Sequence, residues 1–282
     1  MKKLLLFLCL SPSLLFGQGY QVNLQGQAQQ GMGGAGTGYM QDATSIFFNP
    51  GGASFVNKNE LIVGMTPTFA NATFLENNTL QTAHTNSPVG TPFAVYGLFQ
   101  IKDSSRLKLG LGIYTPFGST VEWEDGWSGR FALTRLKLLS IFIQPTISFR
   151  LTDKIGIGAG FVYSYGKVNL QKDLPLLDQE GQYGNVELAG TGHGFGFNAG
   201  LYFEPTEHVG FGITYRSRID MAVSGGTATF NVPASLEDKF PSGSFSSSLP
   251  LPEVFTLGLA IKPNDKLAIA IDFNYVGWKA YD

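Results

Sequence analysis

The chain has 282 residues, with 19 basic and 21 acidic side chains, 36 glycines, a single cysteine and only 14% charged residues. No basic stripe is present, which excludes a nucleic-acid partner. Past the N-terminus no uninterrupted apolar run reaches about 18 residues, so a chain this apolar is either a large all-β soluble domain or a membrane barrel.

In chain order, Met1-Lys2-Lys3 is a basic start and residues 4–15 are mostly apolar. Small residues follow at Gly17 and Gly19. This layout predicts a secretory signal peptide over residues 1–17, with Cys9 discarded along with it. The mature chain then carries no thiol, so neither a disulfide framework nor a thiolate metal site is expected.

Residues 18–56 form a separate unit without period-two alternation. Gly31, Gly33 and Gly36 formally match a dinucleotide-binding fingerprint, but no βαβ unit surrounds them. Dense glycine suits a backbone coiled compactly in a confined space. Asn49-Pro50-Gly51-Gly52 is a turn signal.

Beyond it, residues alternate by parity. Leu107, Leu109, Leu111 and Ile113 oppose Lys108, Gly110 and Gly112, and Phe195, Phe197, Ala199 and Leu201 oppose Gly196, Asn198 and Gly200. Period two predicts strands with one oily and one small or polar face. Nine are predicted, at 59–66, 92–102, 107–115, 137–151, 155–168, 191–203, 209–223, 254–262 and 267–279. Short polar turns alternate with long loops at 67–91, 117–136, 169–190 and 224–253. Glycine-rich polar faces, aromatic-ended oily faces and this asymmetry predict an all-β, transmembrane antiparallel up-and-down barrel over residues 57–282. Pro145 falls within a strand, where its missing N–H predicts a bulge or local gap. Both termini periplasmic would demand an even strand number. The odd count therefore predicts a barrel incomplete at its C-terminus.

Several stretches carry a family resemblance. Gly31-Met32-Gly33-Gly34-Ala35-Gly36, Asp42-Ala43-Thr44-Ser45 and Phe48-Asn49-Pro50-Gly51 resemble the N-terminal hatch of FadL/TodX-type transporters, with Gly51 where that family usually has alanine. The ordered motifs Gly112–Gly118, Gly126–Phe131, Gly194–Gly200, Leu249–Glu253 and Asp272–Tyr275 with Trp278 agree in spacing, so the resemblance covers essentially the whole mature chain. It implies a bacterial outer-membrane barrel of fourteen strands, plugged by its own N-terminus through Gly31, Gly33, Gly34, Gly36, Asn49 and Pro50. It further implies that long-chain fatty acids or other hydrophobic compounds are captured at extracellular loops and leave sideways near a kinked third strand. Outer-membrane lipid, lipopolysaccharide and the barrel assembly machinery are the implied partners.

Candidate ligand-binding residues follow. Trp123, Trp127, Arg130 and Phe131 lie in the long loop that resembles the family's capture region, where an interfacial aromatic belt is the competing reading. By parity Arg216 and Arg218 point into the lumen, where each could hold a carboxylate bidentately. An internal salt-bridge lattice with Asp220 or Glu187 is the alternative. His84, His193 and His208 are dispersed, no catalytic Ser/His/Asp set converges, and no cofactor or metal is expected. A general diffusion porin for small polar solutes is the second functional reading, and a barrel enzyme or adhesin the third.

Overall fold

A computed structural model of the chain describes residues 21–102, 105–264 and 266–281. The expected signal peptide and Cys9 lie outside the described residues.

Among the described residues there are fourteen strands: β1 (Glu60–Met65), β2 (Thr73–Leu75), β3 (Thr82–His84), β4 (Phe93–Gln100), β5 (Leu107–Tyr114), β6 (Gly118–Glu122), β7 (Arg135–Arg150), β8 (Ile155–Leu177), β9 (Tyr183–Thr206), β10 (Val209–Arg216), β11 (Ile219–Asn231), β12 (Gly243–Leu251), β13 (Val254–Asn264) and β14 (Leu267–Val276). The main sheet runs β1-β4-β5-β7-β8-β9-β10-β13-β14, entirely antiparallel, and these nine positions are the nine predicted strands. β6 prolongs β5 along β7, while β11 and β12 prolong β10 and β13 outward. No pairing joins β1 to β14 among the described residues.

Two of the segments expected as long loops, 169–190 and 224–253, are therefore largely strand, while 67–91 and 117–136 hold mainly the short β2, β3 and β6. β8 and β9 run 23 and 24 residues, roughly twice what an apolar band of about 25 Å needs. Their outer halves, with the far ends of β11 and β12, mix polar and apolar side chains without a continuous oily face. Oily alternation is not required there, so the sequence pattern does not mark them.

Within the band the two faces sort as expected. Outward-facing Phe195 is 64% exposed and Ile271 62%, joined by Leu61, Val63, Ile147, Phe161 and Phe273. Lys108, Gln144, Thr146, Ser148, Asn198 and Thr214 are buried on the inner face. Oil outside and polar groups inside is the inverse of a soluble sandwich and fits a wall solvated by lipid. Pro145 leaves the β7–β8 ladder without pairs between Ile143↔Tyr163 and Thr146↔Gly160, yet the register on either side is the same. It makes a local gap and no bulge.

Residues 21–56 pack against the inner face. They contain two short helices, α1 (Gln27–Gly31) and α2 (Ser45–Phe48), and a 3-10 turn (Gly52–Phe55). Gly33 and Gly34 have φ of 70° and 87°, a conformation open to glycine at little cost. The wall glycines facing Thr37, Asn49 and Pro50 serve close approach. A Cβ at Gly158 would collide with the Pro50 carbonyl, one at Gly200 with the Asn49 side chain, and one at Gly212 with the Thr37 carbonyl.

Wall side chains then satisfy the segment's backbone. The C-terminal carbonyls of α2 lack intrahelical donors. Gln144 Nε2 donates to Ile46 O at 2.9 Å, and both Asn198 Nδ2 (3.2 Å) and Arg216 Nη2 (3.1 Å) donate to Phe47 O. Ser148 Oγ donates to Pro50 O at 2.6 Å. Asp272 Oδ2 accepts from the Gly36 and Thr37 N–H groups at 2.9 Å each.

Candidate functional site

Three neighbouring cavities bear on the site, the first sharing lining residues with each of the other two. The first arises at a break in the third spanning strand. β5 ends at Tyr114, Pro116 cannot donate to a ladder, and β6 resumes at Gly118. β4 follows β5 only as far as Ala94↔Tyr114, and β6 pairs with β7 alone among the main-sheet strands. The β1–β4 ribbon diverges here, continuing through Thr66 N to Pro92 O and the Thr68↔Gly90 bridge. It rejoins higher up, where Asn86 N donates to Glu122 O and Thr85 bridges Trp123.

Between these closures lies a gap in the wall, occupied by a cavity of about 990 Å³. Its lining includes inward-facing Phe117 and Leu138 together with outward-facing Leu139, Ile141, Lys137 and Lys167. The start of the N-terminal segment closes it from within. Val22 N donates to Pro116 O at 2.8 Å and Gln25 Nε2 to Thr115 O at 2.9 Å.

The second cavity, of about 200 Å³, is almost wholly apolar. Phe117, Leu138, Val168, Leu170, Met221, Val223, Phe245, Leu249 and Leu251 are among its lining residues. These come from strands far apart in sequence, several inside stretches read as loops, so spacing alone does not reveal the chamber. Its one sequence signal is the Leu249-Pro250-Leu251-Pro252 run.

The third, of about 420 Å³, is mixed in character and is lined by Phe47, Phe48, Leu24, Asn198, Thr256, Arg216 and Asp272 among others. Arg216 is only 8% exposed and lies over the Phe47 ring at 3.9 Å. Its Nε has no hydrogen-bond partner, and no ion pair to it is found among the described residues. The salt-bridge lattice considered above does not form around it. Asp220 pairs with Arg218 at 2.7 Å, and Glu187 accepts from Asn169 at 2.5 Å.

Arg218 does not join Arg216. Both strands of the β10–β11 and β12–β13 line break together, at Ser217–Arg218 and at Pro252–Glu253, where Pro252 removes a donor. Inward parity passes from even residues (Thr214, Arg216) to odd ones (Ile219, Met221) across the break. Arg218 is left on the outer face, its side chain 48% exposed. The parity expectation fails for this residue because the strand is not continuous.

Trp123, Trp127, Arg130 and Phe131 do come together, above the wall gap. Trp123 stacks on Trp127 at 4.2 Å, and Phe74 of β2 meets Trp127 edge-on at 5.7 Å. Arg130 is fixed within its own loop. It donates to the Gly126 and Trp127 carbonyls at 3.0 Å each and lies over the Phe131 and Tyr183 rings at 4.7 and 4.8 Å. Asp173, 3.9 Å away, faces it. Burial pushes the Asp173 carboxyl up from the usual carboxylate value, with Arg130 pulling it partly back.

The family model for outer membrane protein transport proteins (OMPP1/FadL/TodX) matches residues 9–282. Outer membrane protein P1 of Haemophilus influenzae is 22% identical over 202 residues, which cover 62% of this chain and 43% of that protein. The long-chain fatty acid transport protein of Salmonella typhi is 22% identical over 196 residues, 61% of this chain and 45% of that one. The chain thus spans about half the length of the curated relatives it matches. Among solved structures, a Pseudomonas aeruginosa FadL homologue superposes with a TM-score of 0.76 at 17% identity, covering 94% of this chain and 71% of that one. The Ralstonia pickettii toluene transporter TbuX gives 0.70 at 16% identity, covering 90% and 72%. These likenesses establish the barrel fold, and with the family match they place the chain in the bacterial outer membrane as a member of the OMPP1/FadL/TodX family of transport proteins.

Proposed function

We propose that this protein carries hydrophobic small molecules, long-chain fatty acids among them, across the outer membrane. Cargo is captured at the aromatic cluster of Trp123, Trp127 and Phe131, enters a lumen plugged by residues 18–56, and leaves sideways through the wall. The observation that carries this reading is the cavity at the β5–β6 break, whose lining residues belong to both faces of the wall. An apolar molecule following that path passes from the apolar chamber to lipid without crossing the polar layer of lipopolysaccharide outside.

The plug reading is supported by the fit of the segment to the wall. Asn49 and Pro50 seat against glycines, and wall side chains complete the carbonyls of α2. Lipopolysaccharide and outer-membrane lipid are the surrounding partners, a reading supported by the exposure of Lys137 and Lys167 on the outer face. The barrel assembly machinery inserts the chain. The protein works without a cofactor and catalyses no reaction.

Uptake of labelled oleate and of a sugar of similar mass, measured in cells or liposomes carrying the full chain, ranks this reading against a general diffusion porin. Oleate uptake that saturates, with little sugar passage, is the expected result. Sugar passage with no dependence on oleate overturns it.

A further inference from the structure

Two of the cavities share lining residues at the strand break, namely Phe117, Gly118, Leu138, Leu139 and Lys167. Phe117 and Leu138 are the inward-facing side chains that line both the apolar chamber and the wall cavity. Phe117 is 3% exposed and packs its ring on Phe142 at 6.0 Å. Its backbone is held more firmly than the surrounding break implies. The Phe117 carbonyl accepts from both Ser140 N (3.2 Å) and Ser140 Oγ (2.7 Å), and Gln21 bridges it from the N-terminal segment. The ring is thus a fixed partition on an anchored backbone.

We infer that Phe117 is a specificity-determining residue for passage: its ring separates the apolar chamber from the wall cavity and sets the width of cargo that crosses between them. This rests on the sideways route proposed above. The chamber, at about 200 Å³, is of the same order as the apolar cavity of about 150 Å³ that holds one benzene ring. The wall cavity beyond, at about 990 Å³, is far larger and does not discriminate at that scale. Selection by width therefore falls at the chamber and its partition. Neighbouring Gly118 adds no side chain at this point, which leaves the Phe117 ring as the principal obstacle on the strand.

The test compares uptake of toluene and of 1-methylnaphthalene by the full chain in whole cells, with folding checked by the heat-dependent gel shift of barrels. Phe117→Leu is expected to raise the ratio of naphthalene to toluene uptake at least fivefold, and Phe117→Trp to lower it by a similar factor. Equilibrium binding of toluene at the outer loops should stay within twofold of wild type for both. Thr120→Trp, placed on the outer face of β6, tests the route separately by obstructing the outer mouth. Loss of uptake in Thr120→Trp, with an unchanged ratio in folded Phe117→Leu and Phe117→Trp, overturns the inference and leaves the route standing. Uptake undiminished in Thr120→Trp overturns the route and the inference with it. A Phe117→Leu protein that lacks the gel shift is replaced by Phe117→Met, and an unchanged ratio there is equally fatal.

Discussion

The Asn49 side-chain amide donates to the Leu201 carbonyl at 3.1 Å, joining positions 152 residues apart. The same nitrogen reaches Thr37 O at 2.9 Å, and the amide oxygen accepts from the Gly51 and Gly52 N–H groups at 3.0 and 3.3 Å. One side chain with no exposed surface thus closes the turn of the N-terminal segment and fastens that turn to the wall. Asparagine suits the position because it supplies two donors and an acceptor on a short stem.

Asn49→Ala should release the segment while leaving the barrel folded. It leaves the Thr37 carbonyl and the Gly51 and Gly52 N–H groups without the Asn49 partner, each buried unsatisfied group costing about 1–3 kcal/mol. The expected signs are faster proteolysis within residues 21–56 and an unaltered gel shift. Protection equal to wild type would show that the other tethers suffice.

Gly158→Val acts from the opposite side of the same contact. A Cβ here would strike the Pro50 carbonyl, which is backbone and cannot rotate aside. The segment must move, and small-solute conductance in planar bilayers should rise several-fold. Gly243→Ala, where a Cβ would meet nothing, is the silent control.

How much of this was legible in the sequence depends on where period two is physically enforced. Wherever one face meets lipid, alternation must hold, and Leu107 to Ile113 or Phe195 to Leu201 declare their strands and their faces. Above the bilayer that demand lapses. Thr227, Ala228, Ser244 and Gly243 pair across β11 and β12 with no oily face to mark them. Arg218 was misplaced for a related reason, since parity carries only as far as the strand is unbroken. The contacts of Asn49 were visible as a turn signal but not as a tether, because only the register of β9 brings Leu201 beside it. The chamber was legible only through the Leu249-Pro250-Leu251-Pro252 run. Leu138, Val168, Met221 and Leu249 share nothing in sequence except the sheet order that gathers them.

The outer loop should respond to acid through Asp173. Its folded carboxyl titrates above the ordinary carboxylate value because burial disfavours the charge more than Arg130 restores it. As pH falls through the raised folded value toward the unfolded one, the folded state takes up its proton first. That favours the ordered loop, so this group contributes more stability at the acid end of the window than at neutral pH. Hydrogen exchange in residues 123–134, corrected for intrinsic rates, should slow relative to global opening as pH drops from neutral into that window. Asp173→Asn should abolish the trend. A wild-type loop that opens more readily with acid would contradict the assignment.

Arg216 gives the sharpest division between cargo classes. Its guanidinium is almost wholly buried, bonded to Phe47 O and facing a cavity of about 420 Å³, with no carboxylate paired to it among the described residues. An isolated buried charge is costly, and the Phe47 ring and the helix-terminal carbonyl offset only part of that cost. On the proposed function a ligand carboxylate would complete the pairing, with charge-assisted hydrogen bonds worth about 1.5–3 kcal/mol. Arg216→Met keeps length and apolar packing while removing the charge. Oleate affinity should then fall by about 10- to 100-fold, the factor that this energy implies, whereas toluene binding should change by less than twofold. Arg216→Lys keeps the charge but loses the planar fork, and should recover only part of the oleate affinity. An equal loss for both ligands in Arg216→Met would mean that the arginine only holds α2 in place, and proteolysis of residues 21–56 would rise in step with it.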